Sequence, residues 1–226
     1  MKRNWWLLKK TSRDVFKRIT KRIQSFFFRP TVEKLKNIEY QKLPSPVNWS
    51  AIAQGRSLQV EIGSGHGEVL LANDSARSVT VGYEIKARFY LLTKRKIRKR
   101  SDVFVYKGSG YESLDLHYAP DSISRIVILF PDPWHKKKHA KRRPITKEFF
   151  EKVYPYLKSN GEILIATDWD DYSSFIASQA SEVTTKYSVE NGVYEAPNFG
   201  LPITHFHQKW IRKGRSFQYF LLKKRT

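Results

Sequence analysis

Leu58-Gln59-Val60-Glu61-Ile62-Gly63-Ser64-Gly65-His66-Gly67 decides the fold: an apolar run of strand length enters a turn carrying three alternating glycines. Glycine lets the backbone turn sharply and approach a ligand more closely than any Cβ permits. The N–H groups at the start of a following helix can then face polar ligand atoms. Onward from Leu58, short apolar runs alternate with longer polar ones. Strands are predicted at Leu58–Ile62, Val79–Glu84, Val103–Tyr106, Ile123–Phe130 and Glu162–Thr167. Helices are predicted near Glu68–Ala76, Ala87–Lys99, Thr146–Leu157 and Tyr172–Glu182. The unbroken apolar character of Arg125-Ile126-Val127-Ile128-Leu129-Phe130 suits a parallel sheet buried on both faces. Ser216–Leu222 is predicted as a further strand, antiparallel at the edge. The pattern as a whole predicts a doubly wound α/β domain over residues 56–226.

Upstream, residues 1–55 have another character. Ten Lys and Arg residues up to Arg29 are opposed there only by Asp14. Trp5, Leu8, Val15, Ile19, Ile23 and Phe26 approximate helical spacing, which predicts a basic amphipathic helix. Its apolar stripe has three possible seats: the main domain, RNA or lipid headgroups. A stretch with Pro44, Pro46 and Gly55 is predicted to link it to the domain.

The whole chain holds 42 Lys and Arg against 21 Asp and Glu, a formal net charge of +21. A polyphosphate releases counterions when such cations neutralise it, so nucleic acid is the expected partner and an acidic membrane surface the second choice. The absence of cysteine excludes disulfides, thiolate metal sites and a Cys nucleophile. No apolar stretch reaches the ~20 residues that span a bilayer. The run Trp5-Trp6-Leu7-Leu8 is too short for a secretory signal. The expectation is a soluble, cytoplasmic protein without stable membrane anchoring.

Glu84 ends the predicted second strand, 21 positions after Gly63, where an acid can accept hydrogen bonds from both hydroxyls of a ribose. Glu61 places a second carboxylate beside the loop. The spacing Gly63-x-Gly65-x-Gly67 is not the Gly-x-Gly-x-x-Gly of dinucleotide binders. Two carboxylates would repel a pyrophosphate and attract the ammonium and sulfonium of S-adenosylmethionine (SAM). The combination is similar to the cofactor half of a class I SAM-dependent methyltransferase.

After the fourth predicted strand comes Phe130-Pro131-Asp132-Pro133-Trp134-His135-Lys136-Lys137-Lys138-His139-Ala140-Lys141-Arg142-Arg143. Two prolines remove local freedom and hold Asp132 and Trp134 in set directions. Six of the eight residues from Lys136 to Arg143 are basic. This segment resembles that of the bacterial tRNA (guanine-N7)-methyltransferases. Ala166-Thr167-Asp168-Trp169-Asp170 and Thr204-His205-Phe206-His207 follow in that family's order. The likeness runs from Leu58 to Lys224.

The resemblance implies the seven-stranded methyltransferase sheet, parallel except for its last-added edge strand, and methylation of guanine N7 in tRNA, at a variable-loop guanosine. It implies SAM contacts from Glu61, Glu84 and the Gly63, Gly65 and Gly67 loop. Asp132 would lie where cofactor and guanine meet, as the catalytic residue. Lys136, Asp168, Thr204, His205, Phe206 and His207 would contact the RNA or its base. Lys137, Lys138, Lys141, Arg142 and Arg143 are expected to hold phosphates, as is the run Lys94–Arg100. Trp134 is placed either to stack on a base or to fill the core.

Two positions depart from the family. Ser109 stands where an acid usually lies near the adenine, and His207 replaces the Glu that ends Thr-x-Phe-Glu. A neutral imidazole offers at most one acceptor to a guanine edge. Those departures keep two alternatives open: another RNA base or nucleic acid as acceptor, or a noncatalytic RNA-binding relative. His135 and His139 have metal-ligand spacing on a helix, and His205 and His207 could share a strand face. The neighbouring cations oppose a metal, and none is expected.

Overall fold

The computed structural model describes residues 47–226; the expected amino-terminal amphipathic helix lies outside them. The elements are α1 (Trp49–Ala53), β1 (Ser57–Ile62), α2 (Glu68–Leu71), β2 (Ser78–Glu84), α3 (Ala87–Lys96), β3 (Val103–Lys107), α4 (Gly110–His117) and β4 (Ile123–Leu129). They continue with α5 (Lys147–Val153), β5 (Leu157–Thr167), α6 (Asp170–Ser181), β6 (Tyr187–Val193), α7 (His205–Ile211) and β7 (Gln218–Lys224). Short 3-10 turns span Lys137–Arg142, Tyr154–Tyr156 and Ala196–Phe199.

The seven strands form one sheet in the order β3-β2-β1-β4-β5-β7-β6. The first five pair in parallel, and β7 runs antiparallel to both β5 and β6. β7 is therefore an interior strand, where Ser216–Leu222 was expected at the edge. The edge belongs to β6, whose polar Ser188, Glu190 and Asn191 interrupt any apolar run. The order reverses between β1 and β4, and the crevice beyond their carboxyl ends is where α/β sheets of this kind hold ligands.

Alternation along the strands assigns side chains to two cores. Ile126 and Ile128 of β4, Ile163 and Ile165 of β5, and Phe220 and Leu222 of β7 meet helix residues such as Phe150, Tyr172 and Ile176. The intervening Val127, Leu164, Ala166 and Leu221 meet Val69, Tyr194, Leu201 and Phe217. Every residue of β2 is buried, as a strand covered on both faces requires.

Local chemistry sets the helix ends. α2 stops after one turn, far short of Ala76, because the Asn73 side chain bonds the Ser78 carbonyl, the Ser78 and Thr80 hydroxyls and Asp102. Such side-chain bonding competes with helix continuation. Thr146 accepts the Phe149 N–H to start α5, which ends at Val153, ahead of Pro155. In the stretch expected as a linker, Trp49 is buried in the core and donates its indole N–H to the His117 carbonyl at 2.9 Å.

Candidate active site

The glycine loop leaves β1 with Gly63, Gly65 and Gly67 all at positive φ, 85°, 50° and 74°. Side chains rarely adopt this region, and a Cβ on Gly67 would also lie 2.5 Å from Thr93 Cγ2. The loop is braced from α3: Thr93 Oγ1 donates to the Gly65 carbonyl at 3.1 Å and Lys96 Nζ to the His66 carbonyl at 2.8 Å. Buried Glu84, at the end of β2, accepts the Gly65 N–H at 2.8 Å and the Lys86 N–H at 2.7 Å. Each carboxylate oxygen is thereby aimed by a backbone amide, with lone pairs to spare.

Glu61 is held differently. It is 4% exposed, and its Oε2 is buried without a hydrogen-bond partner. Burial first, then the nearby Glu84 and Glu68 carboxylates, push its carboxyl up to about 8. Glu61 lines a cavity of about 250 Å3 together with Gly63, Ser64, Glu68, Phe206 and Lys209. A larger cleft of about 440 Å3 is lined by Glu84, Ser109, Tyr111, Asp132, Trp134 and Phe206 among others. Both spaces are bounded by Gly63, Gly65, Phe89, Leu129 and Phe130. A buried acid without a partner at a cavity wall suits a ligand bearing a cation, and twice-held Glu84 suits ribose hydroxyls. The residues present therefore fit SAM. Half-buried Ser109 directly precedes α4 and lines the larger cleft at the expected adenine wall, and beside it Gly110 packs so closely that a Cβ would meet Ile62 at 2.8 Å.

Opposite, β4 delivers the Phe130–Arg143 segment. Phe130 has φ +54° and Trp134 φ +48°, so the two prolines and Asp132 sit between two residues in left-handed conformations. Each such residue costs on the order of 1–3 kcal/mol and persists only where its surroundings hold it. Phe130 is held by its N–H bond to the Ala166 carbonyl at 2.8 Å and by stacking on Phe206 at 4.9 Å. Asp132 is exposed on the cleft wall. Trp134 lies under Arg142, whose guanidinium is 4.9 Å from its ring, and edge-on to His139.

The basic run divides. Lys136, Lys138, Lys141 and Arg142 are exposed, while the Lys137 side chain lies outside the described part. Arg143, expected among the phosphate contacts, turns inward: it is 8% exposed, donates to the Pro133 carbonyl at 3.0 Å and pairs with Asp171. Its guanidinium also lies over Tyr172 and Phe175, so this cation holds the Pro-Asp-Pro turn to α6. The Lys94–Arg100 run divides likewise. Lys96 braces the glycine loop, and Arg100 pairs with Asp102 and bonds the Leu71 and Asn73 carbonyls.

The last motif forms a helix, not the strand face expected for its two histidines. Thr204 Oγ1 accepts the His207 N–H at 3.2 Å, and both Glu68 oxygens lie 2.9 Å from the His205 N–H. Phe206 is 39% exposed and lines both spaces, and His205 and Thr204 line the smaller one. His207 points the other way. It is 3% exposed among Phe130, Tyr194 and Phe217, its Nδ1 has no partner, and burial lowers its pKa. Asp168, just beyond β5, is paired with Arg215. Glu68, Lys209 and Arg215 were not singled out from sequence, and Phe130 was quoted at the head of its segment without a role. β4 ends at Leu129, one residue short of the predicted strand end, and Phe130 begins the turn. Among the described residues no three His, Cys, Asp or Glu side chains group as a metal site.

Sheet order and glycine loop define the class I methyltransferase fold. Solved structures agree: the 16S rRNA methyltransferase KamB superposes with a TM-score of 0.55 at 10% identity, covering 79% of this chain and 93% of that one. A methyltransferase from Pyrococcus furiosus gives 0.52 at 15% identity, covering 79% and 82%. The family model described as "Putative methyltransferase" matches residues 55–219. A tRNA (guanine-N(7)-)-methyltransferase from Shewanella sp. is 32% identical over 179 residues, 76% of this chain and 74% of that one. Its Thermus thermophilus counterpart is 34% identical over 164 residues, 71% of this chain. The chain spans about half the length of that Thermus relative, 51%. By these matches the chain belongs to the tRNA (guanine-N7-)-methyltransferase family. No helix among the described residues is long and apolar enough to cross a membrane.

Proposed function

We propose that this protein methylates N7 of a guanine in tRNA, using SAM. The observation that carries the reading is the meeting of two motifs at one crevice. Gly63–Gly67 and Phe130–Trp134 leave adjacent strands β1 and β4, and both line the cleft that holds Glu84 and Asp132.

When bound, SAM supplies an electrophilic methyl group. Glu84 orients the ribose, and Glu61 faces the ammonium. Guanine N7 has an in-plane lone pair and carries no proton, so no general base is needed. The chain's task is alignment and exclusion of water, which account for up to roughly 7–11 kcal/mol in the best cases. Phe130 and Phe206 form an apolar wall for that purpose. Transfer places positive charge on the base, and Asp132 on the cleft wall stabilises it. Asp168 and Thr204 receive the guanine edge. Buried His207 supports Phe130 from behind, so the family's Glu-to-His change leaves base recognition to those two. Lys136, Lys138, Lys141 and Arg142 hold phosphates beside Trp134.

The test is to incubate the full chain with unmodified tRNA and methyl-labelled SAM, digest the RNA and identify the labelled nucleoside. 7-Methylguanosine is expected. Another methylated nucleoside would transfer the reading to a different base, and no label would refute it.

A further inference from the structure

Asp168 directly follows β5, the strand beside β4, and its carboxylate is only 9% exposed. Its Oδ2 accepts from Arg215 Nη1, a residue 47 positions later in the turn between α7 and β7. Gly214, at φ +72°, swings the chain there, and the Arg215 N–H donates to the Trp210 carbonyl at 3.1 Å. The guanidinium lies 3.8 Å from the Trp210 ring and 5.7 Å from that of Trp169. Trp169 in turn meets His135 of the Asp132 segment at 4.0 Å between ring centroids. Arg215 is thus held by a carboxylate, two indole faces and its own turn. A surface cation placed only for phosphate needs none of this.

We propose that Arg215 is a positioning residue for guanine binding: it fixes the Asp168 carboxylate so that the oxygen it leaves unused meets the base edge. This rests on the reading of Asp168 as a guanine contact. The pair is also close to neutral as a unit, which cancels most of the field Asp168 alone would exert on a cationic base. Asp168 therefore acts through geometry, and charge stabilisation falls to Asp132. A planar guanidinium suits the task because it can bond the carboxylate while stacking on an indole, which an ammonium cannot do as well.

The experiment measures kcat and KM for unmodified tRNA, with SAM affinity, for the wild-type full chain, Arg215→Ala, Arg215→Lys, Asp168→Asn and the Arg215→Ala/Asp168→Asn double variant. Arg215→Ala should raise KM about tenfold, with kcat and SAM affinity nearly unchanged, as loss of one charge-assisted bond predicts. Arg215→Lys should recover only part of that loss, and the double variant should be no worse than Asp168→Asn alone. Additive losses, or an unchanged KM in Arg215→Ala, would overturn the proposal while leaving Asp168 as a base contact. A wild-type KM in Asp168→Asn would instead remove Asp168 from the base edge, and Arg215's role with it. Unchanged SAM binding shows that each variant is folded.

Discussion

The wall of the cleft made by Gly63 and Gly65 is shaped by backbone, whereas the segments behind Asp132 on the opposite wall are tied together by charge pairs. On the first, three glycines at positive φ and the amides bonded to Glu84 leave little room for adjustment. On the second, Asp168 depends on Arg215, and Arg143 ties Pro133 to Asp171. A backbone cradle suits an invariant small molecule. The charge pairs hold remote segments in place beside the cleft and leave exposed Lys136, Lys138, Lys141 and Arg142 for phosphates.

That contrast is broken most directly at Glu84. Glu84→Ala removes an acceptor from two loop amides as well as from the ribose, bonds to a charged group worth about 1.5–3 kcal/mol each. SAM affinity should fall about 100-fold or more by calorimetry, with tRNA affinity unchanged; equal loss of both would mean that the walls are not independent. Next is Asp132→Asn. It should lower kcat by about 10- to 100-fold at saturating tRNA and SAM, because one developing charge loses its partner. Wild-type turnover would remove Asp132 from the chemistry.

A third test uses Glu61. Its raised pKa keeps it mostly protonated at neutral pH without ligand, whereas an ammonium beside it favours the ionised form. Binding then releases a proton, so SAM affinity should rise with pH up to about 8, by at most about tenfold per unit. Glu61→Gln should flatten the profile. The sign for stability is opposite: without ligand the folded state holds this proton more tightly than the unfolded one, so Glu61 costs stability as pH rises from 4.5 to about 8. The smallest effect is expected at exposed Lys141. Lys141→Ala should weaken tRNA binding a few-fold and reduce the salt slope by about 0.9, one phosphate's worth. An unchanged slope would show that Lys141 faces away from the RNA.

The glycine loop, Glu84 and the Pro-Asp-Pro segment were legible in the chain because their constraints are local. A glycine or proline restricts its own backbone, and strand ends follow from where apolar runs stop. Strand β6 and helix α7 were not legible: one is an edge strand with polar faces, and the other is seven residues long. Nor did Arg143 differ in sequence from its exposed neighbours Lys141 and Arg142. Its inward turn is decided by Asp171 on α6 and by Tyr172 and Phe175.

By itself, then, the sequence determined the doubly wound sheet, the crevice that its reversal creates, and the residue types placed at each strand end. Backbone chemistry and hydrophobic period act over a few residues, so they can be read along the chain. Only the tertiary structure decided which charges work as pairs. With 42 Lys and Arg against 21 Asp and Glu, most cations cannot find an internal acid, and nothing in one dimension says which will. Asp168 reaches Arg215 across 47 positions, and Arg143 reaches Asp171 across 28. Those partnerships arise because the sheet brings remote turns to one edge, where close approach and partial burial make a charge pair strong.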